Sequence, residues 1–234
     1  MSLDSATSTF GLVAGLGMGG GIFYYRSLVE AHLVRGWSPK ILLIHADVRR
    51  VLSHAAARET RELATYLSEL LRQLAGGGAQ LATIPAFVPQ ICAPELEEMT
   101  PLPLVSLLDV MVAEVERRGL ARVAIFGARA TVESQLFGRL QHIEVVRPQA
   151  SELELLTQIY ARVVETEQAS PEDFLKLRAL AHELIDRERL DAILLAGTDL
   201  SLVFNPDNTD FPHIDGARIH IDAIIERLTL PETR

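Results

Sequence analysis

The sequence is poor in cysteine and in basic residues. Its 234 residues include one cysteine, Cys92, so neither an intrachain disulfide nor a cysteine-based zinc site can form. This is typical of a protein of the reducing cytoplasm, which is the location we expect. Lysine and arginine number 22 against 31 acidic residues, which gives a net charge of −9. An acidic chain is a poor partner for nucleic acid or an anionic membrane surface, and we expect it to bind neither.

Long hydrophobic runs are missing as well. No apolar run reaches the roughly 20 residues that a membrane-spanning helix needs. The opening MSLDSATSTF lacks the basic and apolar segments of a signal peptide, so we expect neither a leader nor a membrane span. Short apolar segments are abundant instead, and 48% of the residues are hydrophobic. This is enough for a sizeable core, as one domain or as two small lobes.

Six short apolar runs alternate with helical patterns along the chain. Each run is continuous rather than alternating in polarity, as in parallel strands that are covered on both faces. The runs lie at residues 11–16, 41–46, 81–86, 123–128, 143–148 and 192–197. Leucines spaced over 63–74 form a helical stripe that should stop at the glycine run 76–78. The pattern predicts an α/β fold of parallel sheets flanked by helices.

The strand candidates fall into two comparable sets, the second of which begins near Val123. Each set has a glycine-containing first strand, a second strand, a long helix and a third strand that ends in a loop. This order predicts two pseudo-symmetric lobes with a ligand cleft between them. We expect an N-terminal lobe of residues 9–103 plus 214–234 and a C-terminal lobe of residues 104–213, with MTPLPLV as the crossover.

A glycine-rich segment, GLGMGGG, follows the first predicted strand and precedes a predicted helix. Backbone N–H groups at a helix start can hold a phosphate or a carboxylate, which makes Gly17 a candidate ligand contact. The spacing of Gly15, Gly17 and Gly20 also matches the dinucleotide-binding fingerprint, but the acidic residue expected about 20 residues later is missing. A plain nucleotide-binding domain is therefore disfavoured, while a tight turn needed for packing and an anion-binding loop remain open.

Two later loops follow predicted strands and carry hydroxyl groups. In FGARATVES, Thr131 and Ser134 can donate to an anion, or Thr131 or Ala130 can open a helix as its N-cap. In LLAGTDLSLVF, Thr198 can bind a carboxylate beyond the end of its strand. Asp199 can act as a base, although a helix cap is the more common role for an aspartate in this setting.

The remaining titratable residues do not indicate a metal site. The segment HIDGARIHIDAI lacks the spacing of a zinc protease motif, so we expect no bound metal. Within it, Asp215 has the position of a cap for the last helix, and His220 that of a histidine with satisfied hydrogen bonds at the edge of the core. Cys92 is interpreted as a small buried hydrophobe rather than a nucleophile.

Four segments of the chain, taken in order, fit one set of motifs. GLVAGLGMGGGIFYYR fits G-I-L-G-G-M-G-P-E-A-T-x-x-x-Y-R, and RVAIFGARATVES fits K-V-G-L-L-G-T-x-x-T-M-x-S. HIDGARIH fits F-D-T-T-x-I-H, and PLPLVSLLDVM is similar to a segment that crosses between two lobes. The matching residues are Gly11, Gly15, Gly17, Tyr25, Arg26, Val123, Gly127, Thr131, Ser134, Asp215, Ile219 and His220. In this order and spacing, the chain resembles the aspartate/glutamate racemase family from about Gly11 to Leu228.

The resemblance implies a cofactor-independent protein of two α/β lobes that acts on an amino acid and is often paired as a homodimer. Family members use two cysteines, one in each lobe, on opposite sides of the substrate α-carbon. One thiolate removes the α-proton and the other thiol returns a proton to the opposite face, which inverts the stereocentre. We therefore expect a homodimer that needs no cofactor.

Both family cysteines are absent from their motif positions. The first lies in I-P-C-N-T-A-H, where this chain reads IPAFVPQ. Ala86 thus takes the thiol position, and Phe87 and Val88 replace the Asn-Thr pair that would hold the substrate carboxylate. The second lies in G-C-T-E-L, where this chain reads AGTDL, so that Gly197 takes the thiol position while a threonine and a carboxylate survive. We expect Gly197 to hold a backbone angle that other residues avoid.

Two hypotheses follow. In the first, the protein binds a small carboxylate or an amino-acid-like ligand between its lobes without racemising it. The residues expected to contact that ligand are Gly17, Phe87, Val88, Thr131, Ser134 and Thr198. In the second, it is an active isomerase, racemase or lyase that uses Asp199, His45 or His220 instead of thiols. One general acid or base is typically worth about 10²–10⁴-fold in rate, so losing both thiols predicts no useful two-base racemisation.

Overall fold

The structure is a computed structural model that describes residues 8–229, which form seven β-strands, nine α-helices and two short 3-10 helices. These residues divide into two compact units: unit 1 contains residues 8–107 and 220–229, and unit 2 contains residues 108–219. Residues 230–234, which the sequence assigned to the N-terminal lobe, lie outside the described residues. None of the helices within 8–229 is long and apolar enough to cross a membrane.

Unit 1 is built on a three-stranded parallel sheet. Its strands are β1 (Phe10–Ala14), β2 (Ile41–His45) and β3 (Leu81–Thr83), in the order β2-β1-β3. The central strand β1 is buried along its whole length, as its continuous apolar sequence predicts. The run predicted over 81–86 ends as a strand at Thr83, because Pro85 has no N–H group with which to extend the ladder. The rest of the run becomes a loop.

The sheet of unit 1 is flanked by helices. These are α1 (Met18–Val34), α2 (Val48–Ala57), α3 (Thr60–Gly76) and α4 (Ala93–Met99), the last preceded by a 3-10 helix, Val88–Cys92. The leucine stripe predicted on α3 is buried, and it belongs to one hydrophobic cluster with Val13 of β1 and Ala82 of β3. Helix α3 ends within the glycine run that was expected to stop it.

Unit 2 is built on a four-stranded parallel sheet. Its strands are β4 (Arg122–Gly127), β5 (Glu144–Val146), β6 (Ala192–Ala196) and β7 (His213–Asp215), in the order β5-β4-β6-β7. The first three repeat the arrangement of unit 1, with the first strand central, the second on one side and the third on the other. This repetition agrees with the two sets of strands in the sequence. Strand β7 has no counterpart among the predicted strands, because three residues do not make a recognisable apolar run.

Five further helices follow along the chain. They are α5 (Leu107–Arg117), α6 (Arg129–Glu133), α7 (Ala150–Thr166), α8 (Pro171–Glu188) and α9 (Gly216–Thr229), and a 3-10 helix, Thr198–Leu202, follows β6. Helix α5 carries the chain from unit 1 into unit 2, and α9 carries it back. Ion pairs of Arg162 with Asp173 and of Arg187 with Glu152 join α7 and α8. Both units are thus parallel sheets flanked by helices, which confirms the predicted α/β fold.

Candidate functional site

In unit 1, the glycine-rich segment forms a tight turn between β1 and α1. Gly15 has a φ angle of +85°, which other residues rarely adopt. A Cβ atom on Gly15 would lie 2.7 Å from the carbonyl oxygen of Ala46 and 2.9 Å from two ring carbons of His45, so packing also requires glycine. Gly17 is the N-cap of α1, and the first turn of that helix contains no acidic side chain. The turn therefore leaves the positive end of the helix dipole without a carboxylate from its own first turn.

The loop that follows β3 contains Ala86, which the resemblance aligns with the first family thiol, and its polar groups bond within the loop. Ala86 and Phe87 are only 5% and 3% exposed. The side-chain nitrogen of Gln90 donates to the carbonyl oxygens of Ile84 (3.1 Å) and Ala86 (2.9 Å). The backbone N–H of Ala86 donates to Ile84 as well, at 2.9 Å. The polar groups of this loop thus bond to one another, and Val88 adds no acid or base.

Cys92, at the end of the same loop, does not replace the missing thiol. Its side chain is fully buried, and its sulfur donates to the carbonyl oxygen of Pro89 at 3.1 Å. Burial, and secondly the carboxylate of Glu95, raise the pKa of the Cys92 thiol to about 12. Since the thiolate is the reactive form, this thiol is inert at neutral pH. Its interpretation as a small buried hydrophobe agrees with the structure.

His220 is fully buried in unit 1, and both of its ring nitrogens are engaged. Nε2 lies 3.0 Å from the carbonyl oxygen of Val105 and 3.2 Å from the hydroxyl of Thr83, and Nδ1 lies 2.9 Å from the hydroxyl of Tyr24. Because a carbonyl only accepts, Nε2 carries the proton and Nδ1 accepts from Tyr24. Burial lowers the pKa of His220 to about 4. The residue is a neutral structural histidine, as the sequence suggests, and not a free base.

In unit 2, the loops after β4 and β6 start side by side, because Gly127 pairs with Ala196 in the sheet. Helix α6 begins at Arg129 with Ala128 as its N-cap, so the prediction that Thr131 or Ala130 opens this helix is wrong. Thr131 lies inside the helix and is fully buried. Its hydroxyl oxygen has no hydrogen-bond partner among residues 8–229. A buried hydroxyl without a partner is uncommon in folded proteins.

Ser134, predicted to donate to an anion, has a local role in the structure. It is the C-cap residue of α6. Its hydroxyl donates to the carbonyl oxygen of Thr131 at 3.3 Å and accepts from the backbone N–H of Phe137 at 3.1 Å. The hydroxyl holds the chain where it leaves α6 through a run of residues with positive φ, from Gln135 to Gly138. Of the two hydroxyls, that of Ser134 is engaged in local hydrogen bonds and that of Thr131 has no partner among residues 8–229.

Gly197, which the resemblance aligns with the second family thiol, has no room for a side chain. Its φ of −147° is ordinary extended backbone, so the expectation of a special backbone angle is wrong. A Cβ atom here would lie 2.5 Å from Cε2 and 2.8 Å from the hydroxyl oxygen of Tyr160, a residue of α7. The ring of Tyr160 thus fills the space that a cysteine side chain would need.

Thr198 and Asp199 follow Gly197 at the start of the 3-10 helix and are 4% and 2% exposed. Gly197 is the N-cap, and Asp199 lies within the first turn. The sequence favoured Asp199 as the cap of this helix, and that prediction is wrong. Its carboxylate acts instead on Tyr160: burial, and secondly Asp199, raise the pKa of the Tyr160 hydroxyl above its usual value.

Asp215 fixes the second loop to the last helix. Its Oδ1 accepts from the backbone N–H groups of Ala217 (3.0 Å) and Arg218 (3.1 Å), which confirms the predicted cap of α9. The same oxygen accepts from the hydroxyl of Ser201 at 2.7 Å. The described residues contain no group of three or more His, Cys, Asp or Glu side chains placed to hold a metal ion.

Sequence reasoning missed two residues that contact these loops, Tyr160 of α7 and Gln90 of the 3-10 helix after β3. Tyr160 sits among the apolar residues of a helix, where an aromatic side chain usually signals core packing. Gln90 follows the loop as one polar residue among many. No pattern in a single sequence links either residue to the loop that it fills or closes.

Comparison with known proteins connects these loops to one family. Residues 13–224 match the family described as Asp/Glu/hydantoin racemase. The match therefore includes the glycine turn, both thiol positions and the cap of α9.

Solved structures show the same fold. A proposed Asp/Glu racemase from Yersinia pestis has a TM-score of 0.82 at 22% identity, covering 95% of this chain and 100% of that one. An aspartate racemase homologue from Pyrococcus horikoshii has a TM-score of 0.79 at 20% identity, with the same coverage of 95% and 100%. Glutamate racemase from Francisella tularensis, solved with D-glutamate, has a TM-score of 0.65 at 14% identity, covering 97% and 85%.

Proposed function

Because the chain belongs to the Asp/Glu/hydantoin racemase family, we propose that it has kept a ligand site of this family and has lost the two-cysteine reaction. It binds a small carboxylate or an amino-acid-like ligand between its lobes and requires no cofactor. Phe87 and Val88, in place of an Asn-Thr pair, favour a ligand that is less polar than aspartate.

The observation that carries the binding proposal is the hydroxyl of Thr131. It is fully buried and lacks a hydrogen-bond partner among the described residues. Leaving a buried donor unsatisfied costs about 1–3 kcal/mol, so natural proteins rarely keep one without a bound partner. Thr198, which is buried and also carries a hydroxyl, follows strand β6, the neighbour of β4 in the sheet. An oxygen acceptor such as a carboxylate suits both groups.

The loss of racemisation is supported by the side chains at both thiol positions. Ala86 and Gly197 carry no titratable group. Cys92, the only thiol in the sequence, is buried and protonated at neutral pH. Of the non-cysteine candidates, His220 uses both ring nitrogens in hydrogen bonds, which leaves Asp199 and His45 to the hypothesis of an active enzyme.

The test combines binding with exchange of the α-proton. Purified protein is titrated with succinate and with both enantiomers of aspartate and glutamate by calorimetry, and the α-protons of the amino acids are followed by NMR in deuterated water. We expect saturable binding of at least one probe and no catalysed exchange. Thr131→Val should abolish binding, whereas Thr157→Val, which removes a hydroxyl bonded to Leu153 on α7, should not. Clear enzyme-dependent exchange would refute the proposed loss.

We also propose that the protein is a cytoplasmic homodimer, as the resemblance leads us to expect. Helix α1 supports a homodimer, because Met18, Ile22 and Tyr25 recur on one face and are 62%, 46% and 48% exposed. Sedimentation equilibrium should give a dimer for the wild type and a monomer for Ile22→Glu. Leu52→Glu, a change at a 50% exposed leucine on α2, is the control and should remain dimeric. Cell fractionation tests the location.

A further inference from the structure

Tyr160 stands where the second thiol of the family would stand. It lies within α7, and its ring reaches the carboxyl end of β6 at Gly197. A Cβ atom on Gly197 would be 2.5 Å from Cε2, 2.7 Å from Cζ and 2.8 Å from the hydroxyl oxygen of Tyr160. The polar tip of the phenol, and not only an edge of the ring, therefore occupies the space of the missing side chain.

The hydroxyl of Tyr160 is a hydrogen-bond donor that can bind an acceptor on a ligand. Within residues 8–229 it makes no hydrogen bond. A tyrosine that packs into a protein usually bonds its hydroxyl to a partner. The pKa of this hydroxyl is raised by burial and by Asp199, so the group keeps its proton at neutral pH. It can donate a hydrogen bond, but it is a poor base.

We infer that Tyr160 is a ligand-binding and specificity-determining residue, whose hydroxyl donates a hydrogen bond to a carboxylate or carbonyl oxygen of the ligand. This inference rests on the proposed function. In this arrangement a neutral phenol donor stands beside Gly197, where family members have a reactive thiol. A ligand is then held at that position and keeps its α-proton. Ligands that carry only ammonium or apolar groups at this end are disfavoured, because they offer no acceptor to Tyr160.

The position of Tyr160 within unit 2 supports this role. Thr131 follows β4 and Gly197 follows β6, and these two strands are neighbours in one parallel sheet. Ligands of parallel sheets bind beyond the carboxyl ends of the strands. The hydroxyls of Thr131 and Tyr160 therefore belong to two helices, α6 and α7, around one sheet edge, and that of Thr131 is buried without a partner among residues 8–229. Two neutral donors at that edge suit the two oxygens of a carboxylate.

The first test measures affinity for succinate, L-aspartate and D-aspartate by calorimetry. Tyr160→Phe keeps the ring and removes the donor, and it should weaken whichever probe the wild type binds by about tenfold or more. Tyr66→Phe is the matched control, because Tyr66 is 8% exposed and its hydroxyl accepts from Asp47 in unit 1. An affinity within twofold of the wild type for Tyr160→Phe would overturn the inference.

Failure of the inference can be told from failure of the proposed function. If Thr131→Val loses a probe that Tyr160→Phe still binds, the ligand site stands and Tyr160 is not part of it. If no probe binds the wild type, the proposed function fails and the inference falls with it. Urea unfolding of each variant shows whether a loss of binding reflects a loss of folding.

A second measurement uses Tyr160→Cys as a reporter. In alkylation, the thiolate sulfur attacks the CH₂ carbon of iodoacetate or iodoacetamide, the C–I bond breaks and iodide leaves, while the thiol proton passes to solvent. A site that holds carboxylates should raise the ratio of the iodoacetate rate to the iodoacetamide rate about tenfold over that of Leu52→Cys, an exposed control. Equal ratios, or no alkylation at position 160, would overturn the inference.

Discussion

The loops after β3 and β6 correspond in order, yet the two positions that the resemblance assigns to the family's thiols are packed in different ways. After β3, the loop closes on itself: Ala86 and Phe87 are buried, and the Gln90 side chain donates to two carbonyl groups of the loop. After β6, the loop contains Thr198 and Asp199, and the Tyr160 ring from α7 fills the space beside Gly197. The first position is packed by residues of its own loop, and the second by a residue of a neighbouring helix.

This difference predicts how each loop responds to reversal. Restoring a thiol in the first loop needs several changes, because its polar groups already bond to one another and its apolar side chains are already buried. The second needs a change at Tyr160, because the backbone at Gly197 has an angle that any residue adopts. Each of the following experiments tests this contrast, starting with the largest expected effect.

A variant with both thiols and the carboxylate donors of the family should catalyse slow α-proton exchange. The variant combines Ala86→Cys, Phe87→Asn, Val88→Thr, Gly197→Cys and Tyr160→Leu. We expect α-proton exchange on some amino acid about 10²–10⁴-fold faster than in the variant with the two cysteines alone, since catalysis needs opposed thiols and a held carboxylate. Exchange is measured by NMR in deuterated water. Equal rates in the two variants would show that neither the carboxylate donors nor Tyr160 limits the reaction.

Acid should lower the stability of unit 1 through protonation of His220. The pKa of this histidine is 6.5 in its ordinary state and about 4 in the folded chain, where burial disfavours its charge. Between these values the unfolded chain binds a proton that the folded chain does not, so the free energy of unfolding falls as the pH falls from 6.5 to 4. The loss should reach about 3 kcal/mol and be absent above pH 7.

Urea unfolding between pH 7.5 and 4 measures this loss. His220→Gln should unfold more easily at pH 7.5 and lose the extra acid sensitivity, whereas His45→Gln, at an exposed position on β2, should keep it. Hydrogen exchange should show that amides of unit 1 lose protection first. An unchanged pH dependence in His220→Gln would mean that other groups cause the acid response.

A single methyl group tests the second loop. Gly197→Ala should lower the free energy of unfolding by about 2 kcal/mol, because the new Cβ meets the ring of Tyr160. Adding Tyr160→Leu should recover part of the loss, so that the two changes couple in a double-mutant cycle. Gly76→Ala, where a Cβ would meet nothing within 4 Å, is the control and should be tolerated. Additive effects of the two changes would contradict the steric account.

The smallest effect is expected in the first loop. Gln90→Met should cost about 1 kcal/mol, because two carbonyl groups lose their donor while the volume is nearly kept. Hydrogen exchange should rise over residues 84–92 and stay unchanged in unit 2. Gln158→Met, which removes an amide bonded to Glu154 on the surface of α7, should change stability by less than about 0.5 kcal/mol.

The fold could be predicted from the sequence because continuous apolar runs indicate buried parallel strands. The central strands β1, β4 and β6 are all found where such runs occur. Boundaries were less accurate where a local effect competes with hydrophobicity, as at Pro85, which shortens β3. The cap at Asp215 was predicted correctly, because capping is a local interaction that a short motif encodes.

The candidate site was only partly readable, because its contacts join residues that are distant in sequence. The empty thiol positions follow from the aligned motifs, but the reason for glycine at 197 lies on α7 and is steric. The start of α6 was misplaced because Ala128, a weak capping residue, serves as its N-cap instead of Thr131. Packing of this kind depends on the whole fold and has no local signal.

The burial of Cys92 has a use in spectroscopy. A thiol that is fully buried and whose pKa is near 12 does not react with maleimide or methanethiosulfonate labels at neutral pH. The native chain therefore needs no cysteine removed before labelling. One cysteine introduced at an exposed position, such as Leu175 on α8, would carry a fluorophore or a nitroxide alone. Motions of either loop upon ligand addition then become measurable from a single, chosen point.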